Sequence, residues 1–149
     1  MPPENNSELF INEYTSEFVD RWDELIDWDK RRAAENGFFE SVLNNNGART
    51  VLDIACGTGY HTVNLYLNGF VVTGSDGSAN MVEKANENAA RSGLKNQRLV
   101  EAQWTSLSAA FPNEKFDAII CLGNAFTHPT TGDRPWGRST GCSITAAWL

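Results

Sequence analysis

Cysteine, histidine and basic residues are scarce in this chain, and long apolar runs are missing. There are three cysteines (Cys56, Cys121, Cys142) and two histidines (His61, His128) in 149 residues. Odd in number and widely spaced, the cysteines form neither a disulfide framework nor a CxxC pair. Cys56 and Cys121 are therefore expected to serve as small buried residues. No HxxxH or HExxH spacing occurs, so no metal site is expected. Lysine and arginine number 12 against 19 aspartates and glutamates, a net charge of −7. That balance argues against nucleic acid as a partner. No stretch approaches the apolar length that crosses a bilayer, so no membrane partner is expected. The leading "MPPENNSE" has neither the basic region nor the apolar stretch of a signal peptide. A cytoplasmic location is the default expectation, and a homo-oligomer stays open.

What is there suits one soluble α/β domain. Hydrophobic content is 41% and charged content 21%, ordinary values for a globular chain long enough to bury a core. Near the start, Phe10, Tyr14, Phe18, Trp22 and Leu25 recur at helical spacing with acids between them. An amphipathic helix packed on the domain explains that stripe, and a helical lid over a ligand is the competing reading. A second helix is expected over Ala33–Leu43, stopped by "NNNG". The rest alternates: strand Thr50–Ala55, helix Tyr60–Leu67, strand Phe70–Gly74, and a helix capped by Ser78 with Gly93 beyond its end. "QRLVEAQ" follows as a strand, "TSLSAAF" as a brief helix or loop, and "KFDAIICLG" as a fourth strand. Such alternation implies a Rossmann-like parallel sheet with helices on both faces.

The chemistry concentrates in "VLDIACGTGYHT", Val51 to Thr62. Gly57 and Gly59 let the chain turn tightly at a strand end, and the following helix aims its free N–H groups at the site. Asp76 ends the next strand, 17 residues after Gly59, near the spacing at which an acid accepts bonds from ribose hydroxyls. These features together point to a nucleoside. No Gly-Lys-Ser/Thr follows, which removes the P-loop reading. A dinucleotide fingerprint would place a third glycine where Thr62 stands, so close helix–strand packing is less assured here. Asp53 would set negative charge against a pyrophosphate. It suits a ligand with a cationic tail, and S-adenosylmethionine is such a ligand.

At this point a family resemblance enters. "VLDIACGTG" and "VVTGSDGSANMVEKA" resemble motifs I and II of the class I S-adenosylmethionine-dependent methyltransferases. With "EAQW", "FDAIICLGNAFTH" and "EYTSEFVDRWDELIDWDKRR", the chain is similar to the glycine and glycine/sarcosine N-methyltransferases over roughly residues 12–128. The resemblance implies methyl transfer to the amine of a small amino acid (glycine, sarcosine or dimethylglycine), as in betaine synthesis. It implies that the main chain around Ala55, Gly57 and Gly59 holds the methionyl part of the cofactor. Asp76 would take the ribose, with Gly77, Met81, Gln103 and Trp104 around the adenine and Leu122 near the sulfonium. Tyr14, Trp22 and Arg31 would come from the N-terminal segment, Arg31 pairing with the cofactor's carboxylate. Asn124 and His128 would serve the substrate amino acid, and no catalytic base is assigned. Animal glycine methyltransferases carry asparagine where this chain has Gln103, and the longer amide can still bond adenine.

Three regions are expected: an N-terminal helical cap over 1–48, a cofactor-binding core over 49–128, and an atypical tail over 129–149. The tail shows no periodicity and no capping logic. Read from the third base of the Thr140 codon, its codons permit a run such as Arg-Val-Leu-Asp-His-Gly-Gly-Leu-Ala, so an out-of-frame tail is the expectation. Four strands in the order 3-2-1-4 would then leave the fourth as an apolar edge prone to aggregation. Competing readings are an inactive, truncated cofactor-binding fragment, a methyltransferase with another small acceptor, and an NAD-dependent oxidoreductase. Asp53 and Thr62 disfavour the last.

Overall fold

The structure, a computed structural model, describes residues 14–122 and 143–145. Three short helices lead in: α1 (Ser16–Leu25), α2 (Trp28–Glu35) and α3 (Phe38–Asn45). They are followed by β1 (Thr50–Asp53), α4 (Tyr60–Leu67), β2 (Val71–Asp76), α5 (Ala79–Arg91) and β3 (Arg98–Glu101). A 3-10 turn (Trp104–Ser106) runs into α6 (Leu107–Ala110), and β4 (Ala118–Cys121) and β5 (Ser143–Thr145) complete the described residues.

The strands lie in the order β3-β2-β1-β4-β5, the first four mutually parallel. Alternating side chains build two cores. Val51, Val72, Ala118, Ile120 and Leu122 face one way and pack with Leu43 of α3 and Leu65 of α4. Leu52, Ile54, Ile119 and Cys121 face the other way and pack with Phe111, Trp104 and Leu107. Both cysteines among these residues are buried, Cys56 and Cys121 alike. The start of β1 is pinned to β4 by Asp117, whose carboxylate accepts from the N–H groups of Arg49 and Thr50 at 2.8 Å each. The result is the doubly wound parallel sheet with helices on both faces that the alternation implies.

Two expectations need correction. The fourth strand is not an edge: β5 pairs antiparallel with β4, Ile120 facing Ile144. A three-residue strand carries too little periodicity to be read from sequence. The expected helix over Ala33–Leu43 is in fact two helices, because Asn36 and Gly37 are both left-handed (φ 46° and 71°). Asparagine and glycine tolerate that conformation where other residues do not. Asp27 caps α2 by accepting from Lys30 N at 3.0 Å, and Ser78 caps α5 as anticipated, accepting from Met81 N at 3.3 Å.

Candidate functional site

The loop between β1 and α4 folds back across the end of β2. Cys56 N donates to Ser75 O at 2.9 Å and Gly59 N to Cys56 O at 2.9 Å. Gly57 (φ +53°) and Gly59 (φ +94°) are both left-handed. A Cβ at Gly59 would also lie 3.1 Å from Ala85 Cβ, whereas one at Gly57 would meet nothing within 4 Å. The loop is therefore clamped to α5 at Gly59 and open to a ligand at Gly57.

Two carboxylates flank the loop in different ways. Asp76, half-buried, accepts from Gly57 N at Oδ2 and from Ser78 N at Oδ1, each at 3.0 Å. Those bonds fix the carboxylate's orientation, and each of its oxygens can accept more than one donor. Asp53 is sealed beneath the loop at 1% exposure. Its oxygens accept from Ala55 N at 3.2 Å and from Thr62 Oγ1 at 3.1 Å. Burial pushes its carboxyl up to about 7 against the pull of those two bonds, with Asp76's charge adding to the rise and Arg31 opposing it.

Thr62 thus has a task that a glycine could not perform. The close approach between α4 and the sheet is supplied instead by the strand. A Cβ at Gly74 would come within 2.6 Å of Leu99 Cδ2, 3.0 Å of Thr62 Oγ1 and 3.2 Å of Cys56 Cβ. The expectation of looser packing at position 62 is overturned: the needed glycine lies in β2.

Around the rim, Gly77 faces Gln103, a Cβ there lying 3.8 Å from Gln103 Cγ. Trp104 donates its indole N–H to Ile54 O at 2.9 Å, which fixes the ring at the end of β1. Met81 is buried in the first turn of α5. Leu122 closes the core beside Leu43, Val51 and Ile120. Asn124 and His128 lie outside the described residues.

The aromatic stripe of α1 is only partly covered by the domain, short of the packing expectation. Phe18 (40%), Trp22 (41%) and Leu25 (79%) are exposed, and Val19 alone of this helix is buried. Tyr14, Phe18 and Trp22 contact one another in sequence, with centroids 5.7 and 5.9 Å apart. The helix docks on α5 through polar groups. Asn80 Nδ2 donates to Tyr14 O at 2.6 Å, and Lys84 pairs with Asp20 at 2.7 Å. Asn88 Nδ2 bridges Asp23 Oδ2 at 3.1 Å and Thr58 O at 3.0 Å, joining α1 to the glycine loop.

Sequence reasoning missed a cluster behind Arg31. Glu35 Oε1 receives both Arg31 Nε and His61 Nε2, each at 3.0 Å. The Arg31 guanidinium lies 5.0 Å from the centroid of the Tyr60 ring. Burial lowers His61 to about 4, against Glu35, so its ring is neutral near pH 7. Burial and then Glu35's charge push the Tyr60 phenol up to about 12. The available signal was Arg31–Glu35 at i,i+4; His61 was weighed only as a metal ligand.

Comparison with known proteins agrees with this architecture. A family profile described as "Methyltransferase domain" matches residues 51–137. The chain is 49% identical over 119 residues to a glycine/sarcosine N-methyltransferase of Parasynechococcus marenigrum, covering 80% of this chain and 42% of that one. It thus spans less than half the length of that curated relative. A Synechocystis magnesium protoporphyrin IX methyltransferase superposes with TM-score 0.63 at 22% identity, over 86% of this chain and 66% of the other. An S-adenosylmethionine-dependent methyltransferase from Clostridium acetobutylicum superposes with TM-score 0.57 at 30% identity, over 73% and 44%. No helix among the described residues is long and apolar enough to cross a membrane.

Proposed function

The chain belongs to the family of methyltransferase domains, and from that premise we propose that it binds S-adenosylmethionine and serves methyl transfer to the amine of a small amino acid. The observation that carries this reading is the pairing of Gly57 with Asp76. The backbone N–H of the open glycine orients an acid at the end of the neighbouring strand, 3.0 Å away. A nucleoside lying across these strand ends would present its ribose hydroxyls to Asp76. The main chain of Ala55, Gly57 and Gly59 would hold the methionyl part, and Gly77, Met81, Gln103 and Trp104 would border the base.

Charge favours this ligand over a dinucleotide. Asp76 makes the rim of the loop acidic, and Asp53, raised to about 7 beneath it, adds a partial negative charge, which together oppose a pyrophosphate and complement an ammonium and a sulfonium. Arg31 supplies the opposite sign. Among the described residues its terminal amino groups make no hydrogen bond, while its Nε is engaged by Glu35, so the fork is presented to a carboxylate. The cofactor supplies a methyl carbon already activated by its positively charged sulfur. The protein's task is therefore alignment and desolvation more than proton abstraction. An acceptor amine attacks only when neutral, and a carbonyl-rich pocket shielded from water favours the neutral amine.

Glycine, sarcosine or dimethylglycine as acceptor class is supported by the 49%-identical relative's named glycine/sarcosine activity, and the same resemblance would give Asn124 and His128 to the substrate. Tyr14, just before α1, and Trp22 on α1 would complete a lid over the cofactor. Methyl-transfer assays with glycine, sarcosine and dimethylglycine test the acceptor class. Turnover of at least one supports it; S-adenosylmethionine binding with turnover of none shifts the reading to another acceptor or to a non-catalytic cofactor-binding unit.

A further inference from the structure

Arg31 does not stand alone on its helix. Two groups touch it directly, Glu35 from one turn further along α2 and Tyr60 from the first turn of α4, and His61 beside Tyr60 reaches Glu35. Glu35 Oε1 takes Arg31 Nε at 3.0 Å and His61 Nε2 at 3.0 Å. His61 is 7% exposed and wedged edge-on between the rings of Phe39 and Tyr60, centroids 5.3 and 4.8 Å away. It is a rigid post, joined to a loop that is itself fixed at Gly59.

We propose that Glu35 is a positioning residue for cofactor recognition. Anchored by His61, it holds Arg31 by Nε so that the two terminal amino groups face the carboxylate of an amino-acid-bearing nucleoside. This rests on the S-adenosylmethionine reading above and adds to it the residue that aims the arginine.

The geometry separates the roles. An arginine held by Nε keeps its planar NH2 pair for bidentate contact with a carboxylate, whereas one held by that pair could not make it. The Tyr60 ring supports the guanidinium from one face. Its hydroxyl is buried beside Glu35, whose charge helps push it up, so Tyr60 belongs to the same cluster as Arg31 and His61. The neutral state of His61 fits the same role. A neutral ring donates one hydrogen bond to Glu35 without cancelling the charge that attracts Arg31.

The test is the affinity of Glu35→Gln and of the unaltered chain for S-adenosylmethionine and for its decarboxylated analogue. Glu35→Gln is expected to bind S-adenosylmethionine about tenfold more weakly, as for one lost charge-assisted bond. Its affinity for the decarboxylated analogue should be unchanged, and Glu35→Asp should recover part of the loss. In an Arg31→Ala background Glu35→Gln should have no further effect. Equal weakening for both ligands, or additive losses in the double variant, would overturn the proposal and make Glu35 merely structural. If Glu35→Gln loses its cooperative melting transition, Glu35→Asp reads the same two affinities. If the unaltered chain binds neither ligand, the cofactor reading itself fails, a result distinct from failure of the proposal about Glu35.

Discussion

The sequence marks helix α1 by its aromatic stripe and the strand–loop–helix unit by its glycines, and the fold buries the two to opposite extents. In α4 all six residues from Tyr60 to Leu65 are buried, and the helix is locked to β2 through Gly74 and to β1 through the Thr62–Asp53 bond. In α1, ten residues bury only Val19, and the aromatic stripe stays partly exposed. A helix can therefore carry a strong apolar stripe and still dock by its polar side. Exposed aromatics beside a candidate ligand site are more informative about binding than about stability.

Substitutions sharpen this contrast. The largest stability effect is expected in α4. Leu65→Ala, at a position 1% exposed, should cost about 3 kcal/mol from lost burial and the cavity left behind, seen as a fall in the chemical denaturation midpoint. A smaller loss of about 2 kcal/mol is expected for Gly59→Ala, which combines a left-handed backbone with crowding against Ala85. That variant should also weaken cofactor binding, because the loop must shift.

The next effect is on pH dependence. Asp53, at about 7 in the fold, binds more protons folded than unfolded between about pH 4 and 7. Its contribution therefore lowers stability as pH rises through that window. His61, at about 4 in the fold against an ordinary 6.5, binds fewer protons folded between those values. It therefore raises stability as pH rises, and the two oppose one another. Asp53→Asn removes one side, so its melting temperature should climb more steeply from pH 4 to 6.5 than that of the unaltered chain. An unchanged slope would show that the fold leaves Asp53 at its ordinary value, and a flatter one that the fold lowers it.

The smallest stability effects belong to α1. Leu25→Ala and Trp22→Ala should each change stability by less than about 0.5 kcal/mol, as for ordinary exposed positions. Trp22→Ala should nonetheless weaken S-adenosylmethionine binding several-fold if the stripe forms a lid. A large loss of stability without a binding effect would reverse the comparison.

The sheet order, the glycine loop and the place of Asp76 were legible because each is a local pattern with a steric cause. Apolar alternation, a left-handed turn and an acid at a strand end all write themselves into neighbouring residues. What was not legible depends on contacts distant in sequence. Gly74 matters because Leu99, Thr62 and Cys56 converge on it, and nothing near position 74 announces that. The direction of the α1 stripe depends on Lys84 and Asn88 more than 60 residues away. Asn36-Gly37 was a readable break that the apolar residues on either side obscured. Glu35 and His61 meet across 26 residues, and neither is marked by its own neighbours as belonging to the site.

The central claim is that the loop and its two acids select a cationic nucleoside without pyrophosphate. Isothermal titration of the chain with S-adenosylmethionine and, separately, with NAD tests it most directly. The account predicts saturable binding of S-adenosylmethionine at one site per chain, abolished by Asp76→Ala, and no measurable binding of NAD. Binding of NAD as tight as that of S-adenosylmethionine would contradict it.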